Sequence, residues 1–265
     1  MVTVGAPDGA SAHGRLSGPA YHGEFAARYG QLRPRPPEDL FALLLSLAPA
    51  IPPDLVVDLG AGTGMSTAPW SGRAQRVVGI DINPDMLGAA VHAPGIKYVR
   101  ANALRTGLAD GCADIVTCAQ SFHWLDAGPA IAEIARILRP GGLFAAYDYD
   151  WPPLIDWQVD AALLRVIEAA RVDPSRPEKA QHVRNLLQSG RFRVVREVFL
   201  HARRAAPGGD IAQLPLVFGP VARRLDEGAT ERDLGLDRYQ EAVRSHLKPG
   251  TNAMWWSYRV RLAVT

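Results

Sequence analysis

VVDLGAGTG, at residues 56–64, decides the class of fold that this chain adopts. Its apolar start is typical of a buried strand, and that strand ends in the acidic residue Asp58 and then opens directly into a glycine turn. A helical pattern follows at residues 63–69. A strand, a glycine turn and a helix in this order indicate an α/β fold whose turn contacts a nucleotide-like ligand.

The residues of this turn favour a cationic ligand. A dinucleotide-binding turn has glycines at its first, third and sixth positions and leaves a helix N-terminus free for a pyrophosphate. Here the sixth position is Met65. Asp58 adds a carboxylate that would repel a pyrophosphate and attract the ammonium and sulfonium groups of S-adenosylmethionine. We therefore predict S-adenosylmethionine and not NAD, the alternative being a tight structural turn with a surface Asp.

A second apolar strand ends in an acid at Asp81, roughly 20 residues after the glycine turn, which is the spacing at which such folds meet a ribose hydroxyl. The Asp81 carboxylate can accept hydrogen bonds from both ribose hydroxyls. Ile82 and Met86 follow it, and we expect them to pack on the two sides of an adenine ring, in the manner of a mostly apolar small-molecule pocket.

Helical patterns and short apolar runs alternate from about Pro36 onward, an arrangement typical of a parallel sheet covered on both faces. The helical patterns predict helices at residues 38–47, 63–69, 84–91 and 127–138. Arg139-Pro140-Gly141-Gly142 predicts the stop of the last of these helices. The apolar runs predict strands at residues 55–59, 76–81, 96–100, 114–119 and 143–147.

The pattern changes after Trp151, where a helical region at 159–189 precedes a strand at 192–201. A second alternating run, at 254–262, predicts a closing strand. The segment 207–250 between them is longer than a strand connection needs and contains a plausible helix start at residues 230–233. We interpret 151–190 and 207–250 as helical cap elements over the ligand mouth; a peripheral insert that only enlarges the core is the alternative.

A chain of 265 residues, nearly half of them apolar, is long enough for one large domain. We expect a flexible leader at 1–20 and the domain at 21–265. The formal charge of +2 gives no electrostatic reason to expect nucleic acid or an anionic membrane as partner. Cys112 and Cys118 are too few for a disulfide framework or a tetrahedral zinc site, and we expect no metal. No segment resembles a signal peptide or a membrane span, so we expect a cytoplasmic protein.

The chain resembles the class I S-adenosylmethionine-dependent methyltransferases. The resemblance rests on landmarks in the same order: residues 58–64, Asp81, the segment 114–126 and the turn at 138–142. The sequence AQSFHWLD at 119–126 is similar to the small-molecule branch that includes trans-aconitate methyltransferase-like proteins, as are Tyr29 and Arg33-Pro34.

This resemblance implies a Rossmann-like α/β fold with a seven-stranded methyltransferase sheet, an antiparallel last strand inserted between the fifth and sixth, and a helical cap. It also implies that Arg33 pairs with the cofactor carboxylate. Many relatives have Asp where this chain has Asn102, whose side-chain oxygen can still bind the adenine amino group. The predicted cofactor-binding residues are Tyr29, Arg33, Asp58, Gly60, Ala61, Gly62, Gly64, Asp81, Ile82, Met86, Asn102, Ala103, Gln120 and His123.

The implied reaction is methyl transfer to oxygen or carbon of a small, partly apolar acceptor, with S-adenosylhomocysteine as product. A carboxylate acceptor needs no base, whereas a phenol, hydroxyl or activated carbon does. His123 is then the first candidate for the base, because it titrates near neutral pH; its alternatives are a positioning role and packing beneath the cap. We expect Trp124, Tyr147 and Tyr149 to line the acceptor site, against the alternative of a solvated strand end.

Two other functions fit the same sequence. A methyltransferase-like scaffold could keep the cofactor pocket and catalyse a non-methylating step, such as cyclisation or decarboxylation of a biosynthetic intermediate, because a fold does not determine a reaction. Formation of demethylated cofactor in step with product would distinguish this function from methyl transfer. A non-catalytic partner-binding protein is the third possibility, but it would be expected to have lost the glycine turn.

Overall fold

The computed structural model describes residues 32–170 and 181–265. The predicted leader at 1–20 and the predicted cofactor ligand Tyr29 lie outside these residues, as does part of the helical region predicted at 159–189. Helices and strands alternate from Glu38 onward, as the sequence pattern predicts.

In the described residues, seven strands form one sheet in the order β3-β2-β1-β4-β5-β7-β6. The first five run parallel, and β7 pairs antiparallel with both β5 and β6. This confirms the predicted seven-stranded sheet with its last strand inserted between the fifth and sixth. The strands are β1 Leu55–Leu59, β2 Arg76–Asp81, β3 Ile96–Arg100, β4 Ala113–Ala119, β5 Leu138–Tyr149, β6 Val194–Pro207 and β7 Thr251–Val264.

Helices connect these strands in the described part of the chain. They are α1 Glu38–Ser46, α2 Pro84–Gly88, α3 Ala127–Ile137, α4 Trp157–Ala170, α5 Gln181–Gln188, α6 Gly208–Gln213, α7 Gly219–Asp226 and α8 Leu236–His246. Short 3-10 turns at Ala68–Trp70, Phe122–Trp124 and Leu214–Val217 complete the connections. The last three α-helices, α6–α8, lie between β6 and β7, where the sequence pattern predicts a helical cap.

The two faces of the sheet pack against different helices. On one face, Leu40, Phe41 and Leu44 of α1 join a buried cluster with residues of α4 and α8, and this cluster includes Tyr147 and Tyr149 of β5. On the other face, α3 and α5 pack on a second buried cluster. Every residue of β1 is buried, which explains why its residues are apolar apart from Asp58. The carboxyl ends of the parallel strands meet at one edge of the sheet.

The helix predicted at 63–69 is wrong. This segment is a series of turns that ends in the 3-10 turn Ala68–Trp70. The hydroxyl groups of Ser66 and Thr67 donate to the Asp58 carboxylate, at 2.8 and 2.6 Å. These side chains hold the segment in a non-helical conformation, and Pro69 lacks the N–H that a regular helix would need.

Several other boundaries differ from the sequence pattern, among them the following three. Helix α2 ends at Gly88 and does not reach residue 91. Strand β5 begins at Leu138, which pairs with Ala113 before the register shifts, so residues 139–142 lie within the strand. Thr230 and Asp233 do form reciprocal side-chain bonds, but α8 begins only at Leu236, after Gly235.

Candidate active site

A cavity of about 250 Å³ opens at the carboxyl edge of the parallel strands. It extends from the end of β2, across the glycine turn after β1 and the end of β4, to β5 and β7. Most of the residues predicted from the sequence line it. These are Arg33, Gly60, Ala61, Gly62, Asp81, Ile82, Met86, Asn102, Ala103, Gln120, Trp124, Tyr147 and Tyr149.

The glycine turn forms the floor of the cavity because its backbone is held from below. The N–H groups of Gly60 and Ala61 both donate to the carbonyl of Ile80, at 2.7 and 3.0 Å. Gly60 has a φ of +73°, and a Cβ added there would lie 2.5 Å from the Cβ of Ser121. A side chain at position 60 would therefore be strained by the left-handed backbone, and it would collide with Ser121, which follows β4.

Gly64 lies outside the wall of this cavity, so the structure does not support its predicted contact with the cofactor. Its φ is +75°, and an added Cβ would lie 2.1 Å from the hydroxyl oxygen of Tyr98. Gly64 is required because the turn packs closely on the Tyr98 side chain.

Asp58 also lies beneath the cavity and not in its wall, which corrects the direct contact with the cofactor that the sequence predicts. Its side chain is fully buried. One carboxylate oxygen accepts from Ser66 and Thr67, and the other accepts from Thr117 at 2.7 Å. Burial raises the pKa of the Asp58 carboxyl, and the three hydroxyl donors oppose that rise. The carboxylate organises the turn; it is not presented to a ligand.

Asp81 is presented to the cavity, as predicted. Its two oxygens also accept from the backbone, one from Gly62 N–H at 2.8 Å and the other from Asn83 N–H at 2.9 Å. The carboxylate thereby links β2 to the glycine turn. Asn102 lines the same end of the cavity, but its side-chain oxygen already accepts from Leu104 N–H at 2.9 Å.

Gln120 occupies the centre of the cavity wall in a left-handed conformation, with φ of +56°. Its backbone N–H donates to the carbonyl of Tyr147 at 2.9 Å. In the amide orientation that satisfies both neighbours, its side chain donates to Asp148 Oδ1 over 3.3 Å and accepts from Tyr149 N–H over 2.6 Å. A non-glycine residue with positive φ is uncommon, and such strain persists where surrounding contacts enforce it.

His123 does not line this cavity, contrary to the prediction that it lies close to the sulfonium. It belongs to the 3-10 turn Phe122–Trp124, and its Nδ1 lies 3.5 Å from Asp148 Oδ1. Asp148 is buried and pairs with the fully buried Arg261 at 2.5 Å. Arg261 also reaches Glu197 at 3.2 Å. His123 therefore lies beside a buried ionic cluster behind the wall.

The far end of the cavity is aromatic, formed by Trp124, Tyr147, Tyr149 and Tyr258. Arg33 lines this end as well. Its guanidinium contacts the Tyr149 hydroxyl, donates to the Val217 carbonyl at 2.9 Å and lies 5.3 Å from the centre of the Tyr149 ring.

Sequence reasoning missed Tyr258 and Ser66, which both line the cavity. Tyr258 belongs to the alternating run of β7. The alternation places its side chain on one face of the sheet, but it does not show that this face lines the cavity beside β5. Ser66 was assigned to a helix that does not exist. Its pairing with Asp58, eight residues earlier, has no signature in a single sequence.

The described residues contain no group of three or more His, Cys, Asp or Glu side chains arranged to hold a metal ion. No helix in these residues is both long enough and apolar enough to cross a bilayer.

Comparison with known proteins supplies independent findings. Residues 57–146 match a family model described as a methyltransferase domain. An uncharacterized methyltransferase of Mycobacterium tuberculosis is 39% identical over 122 residues, 45% of this chain and 48% of that protein. A demethylmenaquinone methyltransferase of Corynebacterium kroppenstedtii is 33% identical over 131 residues, 48% of this chain and 57% of that protein. The matches thus span about half the length of these curated relatives.

Among solved structures, that of a putative type II methyltransferase from Anaeromyxobacter dehalogenans superposes with a TM-score of 0.71 at 27% identity. The superposition covers 88% of this chain and 97% of the other. The similarity therefore includes the strands and helices beyond residue 146, where the family model ends.

Proposed function

Because this chain belongs to the class I S-adenosylmethionine-dependent methyltransferases, we propose that it transfers the methyl group of S-adenosylmethionine to oxygen or carbon of a small, partly apolar acceptor. The observation that carries this proposal is one continuous cavity. At one end Asp81 supplies an acid and the backbone of the glycine turn forms the floor; the other end, at Tyr147, is aromatic. The demethylmenaquinone methyltransferase among its relatives acts on a small molecule, in keeping with such a cavity.

The residues at the Asp81 end fit the cofactor. Gly60 lines the cavity, and Ser121 beside it leaves no room for a side chain, so the backbone of the turn itself forms the surface that a ligand would meet. Asp81 presents carboxylate oxygens suited to ribose hydroxyls, and Ile82 and Met86 supply apolar surface for an adenine ring. When bound, S-adenosylmethionine supplies an electrophilic methyl group.

The chain's own residues position the acceptor and exclude water. Holding two reactants in line can lower a barrier by about 7 kcal/mol or more, without any covalent role for the protein. We propose that His123 serves this positioning, since it supports Asp148 and the ring of Trp124, whose centre is 5.1 Å away. Asp148 in turn holds the strained Gln120.

Calorimetry with S-adenosylhomocysteine tests the cofactor site. We expect wild-type protein to bind it and Asp81→Asn to bind it roughly 10- to 100-fold more weakly, the effect of losing charge-assisted hydrogen bonds. Asp85→Asn is the matched control, because Asp85 is a nearby acid on α2 that does not line the cavity; its affinity should stay within about twofold of wild type.

Thermal unfolding of both variants separates a binding effect from a folding effect. Absence of wild-type binding at millimolar ligand would remove the proposed function. Equally weakened binding of S-adenosylhomocysteine in both variants would refute the role of Asp81, but not the proposed function.

A further inference from the structure

Residues 32–36, which we call the strap, form part of the cavity wall through Arg33, Pro34 and Pro36. Residues 34–37 are neither helix nor strand. Three of these four residues are prolines, which have no backbone N–H to donate. The strap therefore has few hydrogen-bond donors of its own, and side chains from other parts of the fold must hold its backbone in place.

Two side chains of the β6–β7 pair hold the strap. Arg204 of β6 donates through Nη1 to the carbonyls of Leu32 and Arg33, at 3.0 and 3.1 Å. Tyr258 of β7 donates to the Arg35 carbonyl at 2.8 Å. Burial raises the pKa of Tyr258, so its hydroxyl keeps its proton and can donate. The strap is thus anchored by strands more than 170 residues away in sequence.

Arg33 brings a positive charge from the strap into the cavity. Among the described residues that line the cavity, Arg33 is the only one with a cationic side chain and Asp81 the only one with an acidic one. The guanidinium contacts the Tyr149 hydroxyl and the Val217 carbonyl, which hold it at the wall. If the ribose of S-adenosylmethionine lies at Asp81, Arg33 is the cation in this wall that matches the cofactor's carboxylate.

We propose that Arg204 is a positioning residue of the methyltransferase: its bonds to the strap fix Arg33 where it can bind the carboxylate of the cofactor. This inference rests on the proposed function. Arg204 does not line the cavity, so its effect on the ligand passes through the strap. A strap that is ordered before the ligand arrives has less conformational freedom to lose on binding.

Calorimetry with two ligands tests this inference. S-adenosylhomocysteine has the amino-acid carboxylate, whereas 5′-deoxy-5′-methylthioadenosine keeps the adenosine and the sulfur but lacks the amino-acid part. We expect wild-type protein to bind S-adenosylhomocysteine at least roughly 10-fold more tightly. Arg204→Met should weaken the binding of S-adenosylhomocysteine roughly 10-fold and leave that of methylthioadenosine within about twofold. A general loss of structure would weaken both ligands alike, so the ratio of the two affinities isolates positioning.

The matched control is Arg203→Met. Arg203 is the neighbour of Arg204 on β6 and is exposed, and side chains alternate along a strand, so it projects from the opposite face. This variant should keep both affinities. Thermal unfolding identifies a variant that fails to fold. If Arg204→Met fails, Arg204→Lys replaces it: the shorter side chain keeps the charge, and the ratio should fall by a smaller factor.

A double-mutant cycle tests whether Arg204 acts through Arg33. Arg33→Met removes the cation and should by itself lower the ratio of S-adenosylhomocysteine to methylthioadenosine affinity. Addition of Arg204→Met to that variant should lower the ratio no further, because the guanidinium that Arg204 positions is already gone. Additive losses in the two variants would show that Arg204 acts by another route, and would overturn the inference.

Three other results would also overturn it. Unchanged binding of S-adenosylhomocysteine in Arg204→Met would show that the strap does not need this anchor. Equal losses for both ligands would assign Arg204 a structural role alone. Equal affinity of wild-type protein for both ligands would show that no residue of the cavity binds the carboxylate. Failure of wild-type protein to bind S-adenosylhomocysteine at all would instead remove the proposed function, and this inference with it.

Discussion

The two ends of the cavity are built in different ways. At the β1–β2 end, backbone from one short segment, residues 58–66, forms the floor and its own side chains support it. At the β5–β7 end, the wall consists of side chains from strands more than 100 residues apart, as in the pair Asp148 and Arg261. The first end depends on local backbone geometry, whereas the second depends on the strand pairing that brings distant residues together.

The buried charges follow the same division. Asp58 is surrounded by three neutral hydroxyl donors, two of them within nine residues of it. Asp148 faces the cation of Arg261, which is also fully buried. Neutral donors stabilise a buried carboxylate through hydrogen bonds alone, while an ion pair leaves an uncompensated charge if one partner is removed.

Removal of Arg261 should therefore have the largest effect on stability. Arg261→Met leaves the buried Asp148 without its cation, and we expect a loss of about 3–5 kcal/mol in the free energy of unfolding, measured by urea denaturation. Arg261→Met combined with Asp148→Asn should recover much of that loss. Arg244→Met is the control: its pair with Glu241 is exposed, and it should change stability by less than about 1 kcal/mol.

A loss in Arg261→Met as small as that in Arg244→Met would show that the ionic cluster does not stabilise the β5–β7 end.

Asp58→Ala should have the next largest effect, about 3 kcal/mol, because it leaves buried hydroxyl donors without an acceptor. Asp58→Asn keeps an oxygen and the side-chain volume, so its loss should be about half as large. Urea denaturation measures both. If Asp58→Ala unfolds like wild type but binds S-adenosylhomocysteine much more weakly, the Asp58 carboxylate acts on the ligand and does not merely organise the turn.

Acid should destabilise the contact between α3 and the segment after β3 by about 2 kcal/mol through Glu133. Glu133 of α3 pairs with Arg136 and accepts from Thr106, in the segment after β3. Hydrogen bonding to Arg136 is the main reason that the pKa of Glu133 is lowered from 4.5 to about 2. Its contribution is complete above the unfolded-state pKa and is lost as pH falls from about 4.5 to about 2.

Urea denaturation of wild type and Glu133→Gln at pH 7, 4.5, 3 and 2 measures this contribution. Glu133→Gln should be less stable at pH 7 and should lose less stability on acidification. Parallel pH profiles would show that Glu133 carries none of the acid sensitivity.

Much of the cofactor end could be predicted from the sequence. The bounds of β1, β2 and β3 agree with the predicted strands. For β1 and β2, the glycine or the acid at the end of the apolar run leaves little choice of boundary. The helix at 63–69 could not be excluded in this way. The apolar residues of that segment have helical spacing, but the hydroxyls of Ser66 and Thr67 bind Asp58 and hold the segment in turns. Such a contact depends on how the turn folds back.

The acceptor end was less accessible to sequence reasoning. His123 follows β4 in the expected segment, but whether it enters the cavity depends on Asp148 and Arg261 behind it. Tyr147 and Tyr149 were predicted to line the cavity because they end a parallel strand. The hydroxyl of Tyr149 contacts Arg33, more than 100 residues away, and no spacing in the chain reveals that contact.

The order of apolar runs, acids and glycines by itself determined the parallel sheet, the glycine turn and the position of Asp81, because these features arise from contacts between neighbours in sequence and from the period of a strand. Only the tertiary structure decided that Asp58 and His123 lie behind the wall and that Tyr258 of β7 lines the cavity. The direction in which a side chain can find a hydrogen bond depends on residues that come close only after the strands have paired.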